Sequence, residues 1–427
     1  MFFDRPDSGE LAILVQLDIY SEADGDAREF EELAISAGAC PVEFITGSRQ
    51  QIAPRYFVGT GKLEEIKQAL QAHQAELVLF NHSLSPSQER NLEKALQCRV
   101  LDRTGLILDI FGQRARSHEG KLQVELAQLR HSMTRLVRGW THLDRQKGGV
   151  GLRGAGETQL ELDQRLISVR IKSINKSLEK VRRQRQQGRK SRQRAEIPTV
   201  SLVGYTNAGK SSVFNRITKA DLYAADQLFA TLDSTLRKMQ LPDFGAAILA
   251  DTVGFIRDLP HQLVDAFRAT LEETTEASLL LHVVDCHSEQ RFLLQKEVDS
   301  VLHEIGASQI PTLLVYNKAD LLEGDLPDIE RNDEGKPWRV WVSALTGAGI
   351  DKLLQAISEL LGEDFIEPEM HLAPQQGRLR AKFYHQGAVK NESLDEQGKV
   401  HLSLRLPKQD FVRLLKEEGL DAQAYLS

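Results

Sequence analysis

The chain of 427 residues carries 54 Lys and Arg against 61 Asp and Glu, a net charge of −7, with 41% hydrophobic and 27% charged residues. At about 100 to 200 residues per domain the length leaves room for several units with cores of their own, and the composition excludes a fibre or a disordered tail. Three scattered cysteines, Cys40, Cys98 and Cys286, exclude a disulfide framework and a CxxC metal knuckle, and the lack of a basic leader or an unbroken apolar run of about 18 residues points to a cytoplasmic chain without a membrane span.

In chain order, residues 1–112 alternate apolar runs (LAILVQLDIY, ELVLFN, CRVLDRTGLILDIF) with helix-like stretches such as KLEEIKQALQAHQ, the rhythm of a small α/β domain. Gly59-Thr60-Gly61-Lys62 resembles half of a phosphate-binding loop. Tyr56 stands in the first glycine's place and Leu63 in that of the Ser or Thr, which disfavours a second nucleotide site here.

Residues 113–197 read as a basic helical hairpin. Apolar residues at 122, 126, 129, 133, 136 and 140 form one helical stripe, and Ile167, Ile171, Ile174, Leu178 and Val181 form another. Five glycines within 148–156 break the chain between them. Residues 113–194 hold 21 Lys and Arg against 7 Asp and Glu, a surplus of 14 positive charges in an otherwise acidic chain; the asymmetry suggests a polyanion partner. Arg182, Arg183, Arg185, Arg189 and Lys190 on the second helix, with Lys147 and Arg153 at the Gly-rich tip, are candidate contacts to structured RNA recognised by shape. The plainer alternative is a solvated helical face. Gly149-x-Gly151-x-x-Gly154 matches a dinucleotide fingerprint in spacing only, because it follows a helix rather than a strand.

Residues 198–362 alternate buried-type strands (TVSLVG, AILADTVG, SLLLHVVD, PTLLVYNK, WRVWVSA) with helices, the pattern of a doubly wound, mostly parallel sheet. The first strand enters Gly204-Tyr205-Thr206-Asn207-Ala208-Gly209-Lys210-Ser211, a complete GxxxxGKS ahead of a helix. In such a P-loop, backbone N–H groups cradle phosphate oxygens, Lys210 reaches the β and γ phosphates and the Ser211 hydroxyl ligates Mg²⁺. Asp251-Thr252-Val253-Gly254 ends a later strand; Asp251 would hold Mg²⁺ through a water and the Gly254 amide would sense the γ-phosphate. Between the two motifs, Phe229-Ala230-Thr231-Leu232-Asp233 offers a threonine hydroxyl as a further Mg²⁺ ligand, with Thr235 as the competitor. A loop so held is a switch that orders with the γ-phosphate. Asn317-Lys318-Ala319-Asp320 and Ser343-Ala344-Leu345 also follow strands. The Asp320 carboxylate can accept two hydrogen bonds from guanine N1 and its exocyclic amine, which adenine cannot give, and the Ala344 amide would meet guanine O6. Lys210, Thr231 and Gly254 are the candidate catalytic groups. Position 255 is Phe where a water-orienting glutamine stands in Ras-like proteins, so unaided hydrolysis should be slow. Asn207 stands where some P-loop GTPases ligate potassium, which makes K⁺ a second candidate cofactor. Residues 363–427, with short strand-like runs (RLRAKFY, VHLSLRLP) and a final helix, read as a small α+β domain.

The blocks HEGKLQVELAQLRH, GWTHLDRQKGGVGLRGAGETQLE, VGYTNAGKSSVFNRIT, DQLFATLDSTLR and LADTVGFIRDLPH are similar to those of the HflX family of ribosome-associated GTPases, in the Obg-HflX group. The resemblance spans essentially the whole chain. It implies a GTP hydrolase of low intrinsic rate stimulated by the ribosome, with Mg²⁺ at Ser211 and Thr231. It also implies binding to the large (50S) ribosomal subunit and its rRNA, with the Gly-rich tip near the peptidyl transferase centre, and the splitting or rescue of stalled ribosomes under stress. The chain is expected to be monomeric. The residues leave two other classes open: an RNA-binding or remodelling protein with a regulatory GTP site, and a GTP-gated regulator of a protein partner.

Overall fold

The computed structural model describes residues 9–19, 27–136, 155–194, 197–219, 228–229, 231–232, 234–242, 244–257, 271, 273–324, 328–362, 365–366, 368–372, 376–394, 400–418, 420 and 425. The first unit runs β1 (Leu11–Ile19), α1 (Ala27–Ser36), β2 (Cys40–Arg49), α2 (Thr60–His73), β3 (Leu77–Phe80), α3 (Pro86–Leu96), β4 (Arg99–Asp102) and α4 (Arg103–Arg114). Its strands form a parallel sheet in the order β2-β1-β3-β4. Alternation along β1 sends Ile13, Val15 and Leu17 into one apolar layer and Ala12 and Leu14 into another. The apolar stretch CRVLDRTGLILDIF divides at Asp102, whose side chain accepts the Gly105 N–H at 2.7 Å and caps α4.

Helices α5 (His118–Leu136) and α6 (Ala155–Arg194) form the hairpin. Leu122, Leu126 and Leu129 pack with Ile167, Ile171, Ile174 and Leu178. Arg170 forks onto Glu125 at 2.6 and 2.8 Å, and Arg185 pairs with Glu119 at 2.8 Å. The Arg185 charge is therefore engaged inside the hairpin, whereas Arg183 is 74% exposed beside Glu179. Near the end of α5, Arg135 donates to Glu89 at 2.7 Å and to Asp102 at 2.8 Å, tying the hairpin to the first unit. Burial pushes the Glu89 carboxyl up to about 7. Trp140, Lys147 and Arg153 lie outside the described residues, as do the side chains of Arg189 and Lys190.

The third unit contains β5 (Thr199–Val203), α7 (Lys210–Thr218), β6 (Thr235–Leu241), β7 (Gly245–Asp251), β8 (Leu279–Asp285), α8 (Arg291–Glu304), β9 (Thr312–Asn317), β10 (Glu330–Arg331), β11 (Pro337–Trp341) and α9 (Ile350–Gly362). Its sheet order is β10-β11-β9-β8-β5-β7-β6, parallel except at the edge strands β6 and β10. The last unit contains β12 (Phe365–Ile366), β13 (Glu369–Leu372), α10 (Gly377–His385), β14 (Val389–Leu394), β15 (Val400–Leu404), β16 (Leu406–Pro407) and α11 (Lys408–Glu417). RLRAKFY, strand-like in sequence, is helical in α10, where Leu379 and Phe383 turn the same face into the core. No helix among the described residues is long and apolar enough to cross a membrane.

His282 in β8 is 1% exposed, and its Nδ1 has no hydrogen-bond partner among the described residues. Burial, with help from the nearby Lys210 charge, lowers its pKa from 6.5 to about 4. The unfolded chain therefore takes up this proton first, and the associated stability is present above pH 6.5 and lost as pH falls toward 4. Asp299, 3.6 Å from the ring and itself raised by burial, opposes part of that loss. Acid titration of the unfolding free energy should show a loss of up to about 3 kcal/mol between these limits, and His282→Gln should flatten it.

Candidate nucleotide site

The carboxyl ends of β5, β7, β9 and β11 share one rim of the sheet, where ligands of open α/β folds bind. Gly204 through Gly209 leave β5 and lead into α7 at Lys210. Gly209 has φ +89°, and a Cβ there would fall 2.1 Å from Asn317 Nδ2, so only glycine lets the loop turn beneath that amide. Lys210 is buried and donates to the carbonyls of Gly204 at 3.0 Å and Tyr205 at 2.7 Å. Burial lowers its pKa to about 8, against the opposing attraction of Asp251. The charged form of this lysine is thus costly in the loop, and an anion in the same cradle would favour it.

Three oxygens converge at the start of α7. Ser211 Oγ and Thr231 Oγ1 lie 2.7 Å apart, and both reach Asp251 Oδ2, at 2.8 and 2.9 Å. Asp251 is fully buried, its other oxygen Oδ1 has no hydrogen-bond partner among the described residues, and burial raises its pKa. Two hydroxyls beside a buried carboxylate with an unsatisfied oxygen suit a hard cation such as Mg²⁺. Thr235 opens β6 with its backbone opposite Asp251. Thr252 is turned away, donating to the Leu202 carbonyl at 2.5 Å. Ala230 and Asp233 lie outside the described residues.

Gly254 packs on the phosphate loop; a Cβ there would come within 2.9 Å of Lys210 Nζ. The next residue is stitched to the loop by backbone bonds, Thr206 N–H to Phe255 O at 2.7 Å and Phe255 N–H to Gly204 O at 3.1 Å. The Phe255 ring is 3% exposed in a core shared with Val253 and Tyr205. Nothing at position 255 can therefore polarise a water.

On the β9 side, Asn317 Nδ2 donates to the Ala208 carbonyl at 2.9 Å, and its Oδ1 accepts the Ala344 N–H at 3.1 Å. One side chain thus braces the phosphate loop against the loop after β11. The Ala344 amide, expected from the sequence to face a base, is directed at Asn317. Asp320 accepts from Ser343 Oγ at 2.5 Å, and Lys318 pairs with Asp285 at 2.8 Å while Ala319 is buried. Leu345 is 81% exposed. Arg216 of α7 donates to the Thr346 carbonyl, a brace on the same loop that motif reading missed, since nothing local marks it.

A second unmarked feature joins the site to the first unit. The Tyr205 hydroxyl donates to Glu29 of α1 and accepts the Arg257 N–H at 2.8 Å. Arg103 closes the circuit, pairing with Glu29 and donating to the Arg257 carbonyl at 3.1 Å. Beside it, the Phe229 and Phe111 rings meet edge to face with centroids 4.6 Å apart.

Comparison with known proteins divides the chain in the same succession. Residues 24–112 match the family described as GTP-binding GTPase N-terminal, 114–192 the GTP-binding GTPase Middle Region, 199–318 the 50S ribosome-binding GTPase, and 328–424 the HflX C-terminal domain. The chain is 59% identical over 417 residues to the GTPase HflX of Escherichia coli (strain K12), covering 97% of this chain and 98% of that protein. It is 45% identical over 390 residues to the GTPase HflX of Caldanaerobacter subterraneus subsp. tengcongensis, covering 91% and 89%. Among solved structures, a GTP-binding protein of the archaeon Sulfolobus solfataricus in complex with GDP aligns with a TM-score of 0.44 at 24% identity, over 82% of this chain and 98% of that one.

Proposed function

Since the chain belongs to the HflX family of GTPases, we propose that it couples GTP hydrolysis to binding of the large ribosomal subunit and to the splitting or rescue of stalled ribosomes under stress. The observation that carries this reading is the pairing of a complete guanine-nucleotide constellation with a buried, inert side chain at position 255. With no water-polarising side chain at that position, a partner that completes the site would accelerate hydrolysis. The surplus of 14 positive charges over residues 113–194 supports rRNA as part of that partner.

In the proposed mechanism the P-loop from Gly204 to Ser211 wraps the phosphates, and Asn317, Lys318, Asp320 and the Ser343–Leu345 loop enclose the guanine. Lys210 leaves its two carbonyls for the β and γ oxygens. Ser211, Thr231 and, through a water, Asp251 would hold Mg²⁺. When bound, Mg²⁺ would supply positive charge to offset the charge developing on the phosphates. Gly254, which packs against Lys210 Nζ, would register the γ-phosphate through its amide. Domain limits at 112, 197 and 362, a monomeric cytoplasmic state and activation by K⁺ at Asn207 belong to the same proposal.

Sedimentation with 50S subunits tests it. Binding should be stronger with a GTP analogue than with GDP or an ATP analogue, and turnover should rise at least tenfold on adding subunits. Charge reversal at Arg182, Arg183, Arg189 and Lys190, with Lys147 and Arg153 replaced at the tip, should weaken the association. Turnover indifferent to subunits despite intact binding would favour a regulatory GTP site instead.

A further inference from the structure

The segment that brings Thr231 to Ser211 and Asp251 is fastened outside the GTPase sheet. Leu228, Phe229 and Leu232 are 2%, 2% and 3% exposed and lie in a core that continues through Phe111, Ile107 and Phe30 of the first unit and Val124 of α5. Phe229 also has φ +56°, a left-handed conformation that a bulky residue keeps only where its surroundings enforce it. Against it stands the Phe111 ring, buried in α4 and set edge to face with its centroid 4.6 Å from that of Phe229. Two residues further on, Thr231 meets Ser211 and Asp251. The neighbouring segment is held by the same unit, through Arg103 and Glu29 at Arg257 and Tyr205.

We infer that Phe111, a side chain of the first unit that lies outside the nucleotide motifs, is a positioning residue for GTP hydrolysis: it seats Phe229 and so sets the Thr231 hydroxyl at the cation position. This rests on the assignment of Thr231 as a Mg²⁺ ligand. The first unit then belongs to the functional definition of the GTPase site, because a bend at Phe229 translates directly into the placement of Thr231.

The test uses the full chain with Phe111→Ala and Phe111→Leu, with Thr231→Ala as the reference, reading the Mg²⁺ dependence of single-turnover GTP hydrolysis and the affinities for GDP and a GTP analogue. Phe111→Ala should raise the Mg²⁺ concentration for half-maximal hydrolysis about tenfold and weaken the analogue several-fold, with GDP affinity within twofold of the parent. Phe111→Leu, which keeps most of the apolar volume, should fall between the two. General damage would weaken GDP and the analogue together, and that result overturns the inference, as does a parental Mg²⁺ curve in Phe111→Ala. If Phe111→Ala fails to fold, Phe111→Leu decides: a two- to threefold shift in Mg²⁺ demand supports the inference and none overturns it. A parental curve in Thr231→Ala would instead remove Thr231 from the metal site, a separate failure.

Discussion

Asp320→Asn is expected to weaken GTP binding by about 100-fold or more and to confer affinity for xanthosine triphosphate. A carboxylate accepts from both the N1–H and the exocyclic amine of guanine. The asparagine amide turns a donor toward one of them, and each lost charge-assisted bond costs about 1.5 to 3 kcal/mol. Xanthine carries a carbonyl where guanine has the amine and so accepts what asparagine donates. Equilibrium titration with GTP and xanthosine triphosphate measures the effect. The fold should survive, since the Ser343 hydroxyl at 2.5 Å can donate to an amide oxygen as well. An unchanged preference for guanosine would take Asp320 out of the base pocket.

Lys210→Ala should reduce single-turnover hydrolysis by on the order of 10² to 10³-fold, the usual effect of deleting one preorganised donor to developing charge. Its present bonds to the Gly204 and Tyr205 carbonyls mean that the amine is already inside the loop and needs only to exchange acceptors. Circular dichroism would check that the loss is chemical. A variant that retains a tenth of the parental rate would contradict the role.

The phosphate and base loops were legible in the sequence because each is a short, contiguous pattern set by local backbone demands. Gly209 is required by one turn and one approaching amide, and Asp320 and Asn317 stand within one tetrapeptide. The two helical stripes were legible for the same reason. RLRAKFY misled because it alternates charged and apolar residues like a strand, although Arg, Leu, Ala and Lys also favour helices; the packing of Leu379 and Phe383 against one core decided between them. The unbroken CRVLDRTGLILDIF hid a boundary that the Asp102 cap supplies. The meeting of Tyr205 with Glu29, 176 residues apart in the chain, could not be foreseen from any window. Nor could the Phe111–Phe229 contact, since each phenylalanine sits in an ordinary apolar setting and only the tertiary fold pairs them.

Helix α6 is 40 residues long without a break, so it spans about 60 Å, with one end two residues short of the described stretch that opens β5. Packed along its side by α5, which Arg135 ties to the first unit, it is the longest helix among the described residues. A rotation of roughly 5° about one end would carry the other end through about 5 Å, as geometry alone dictates for that length.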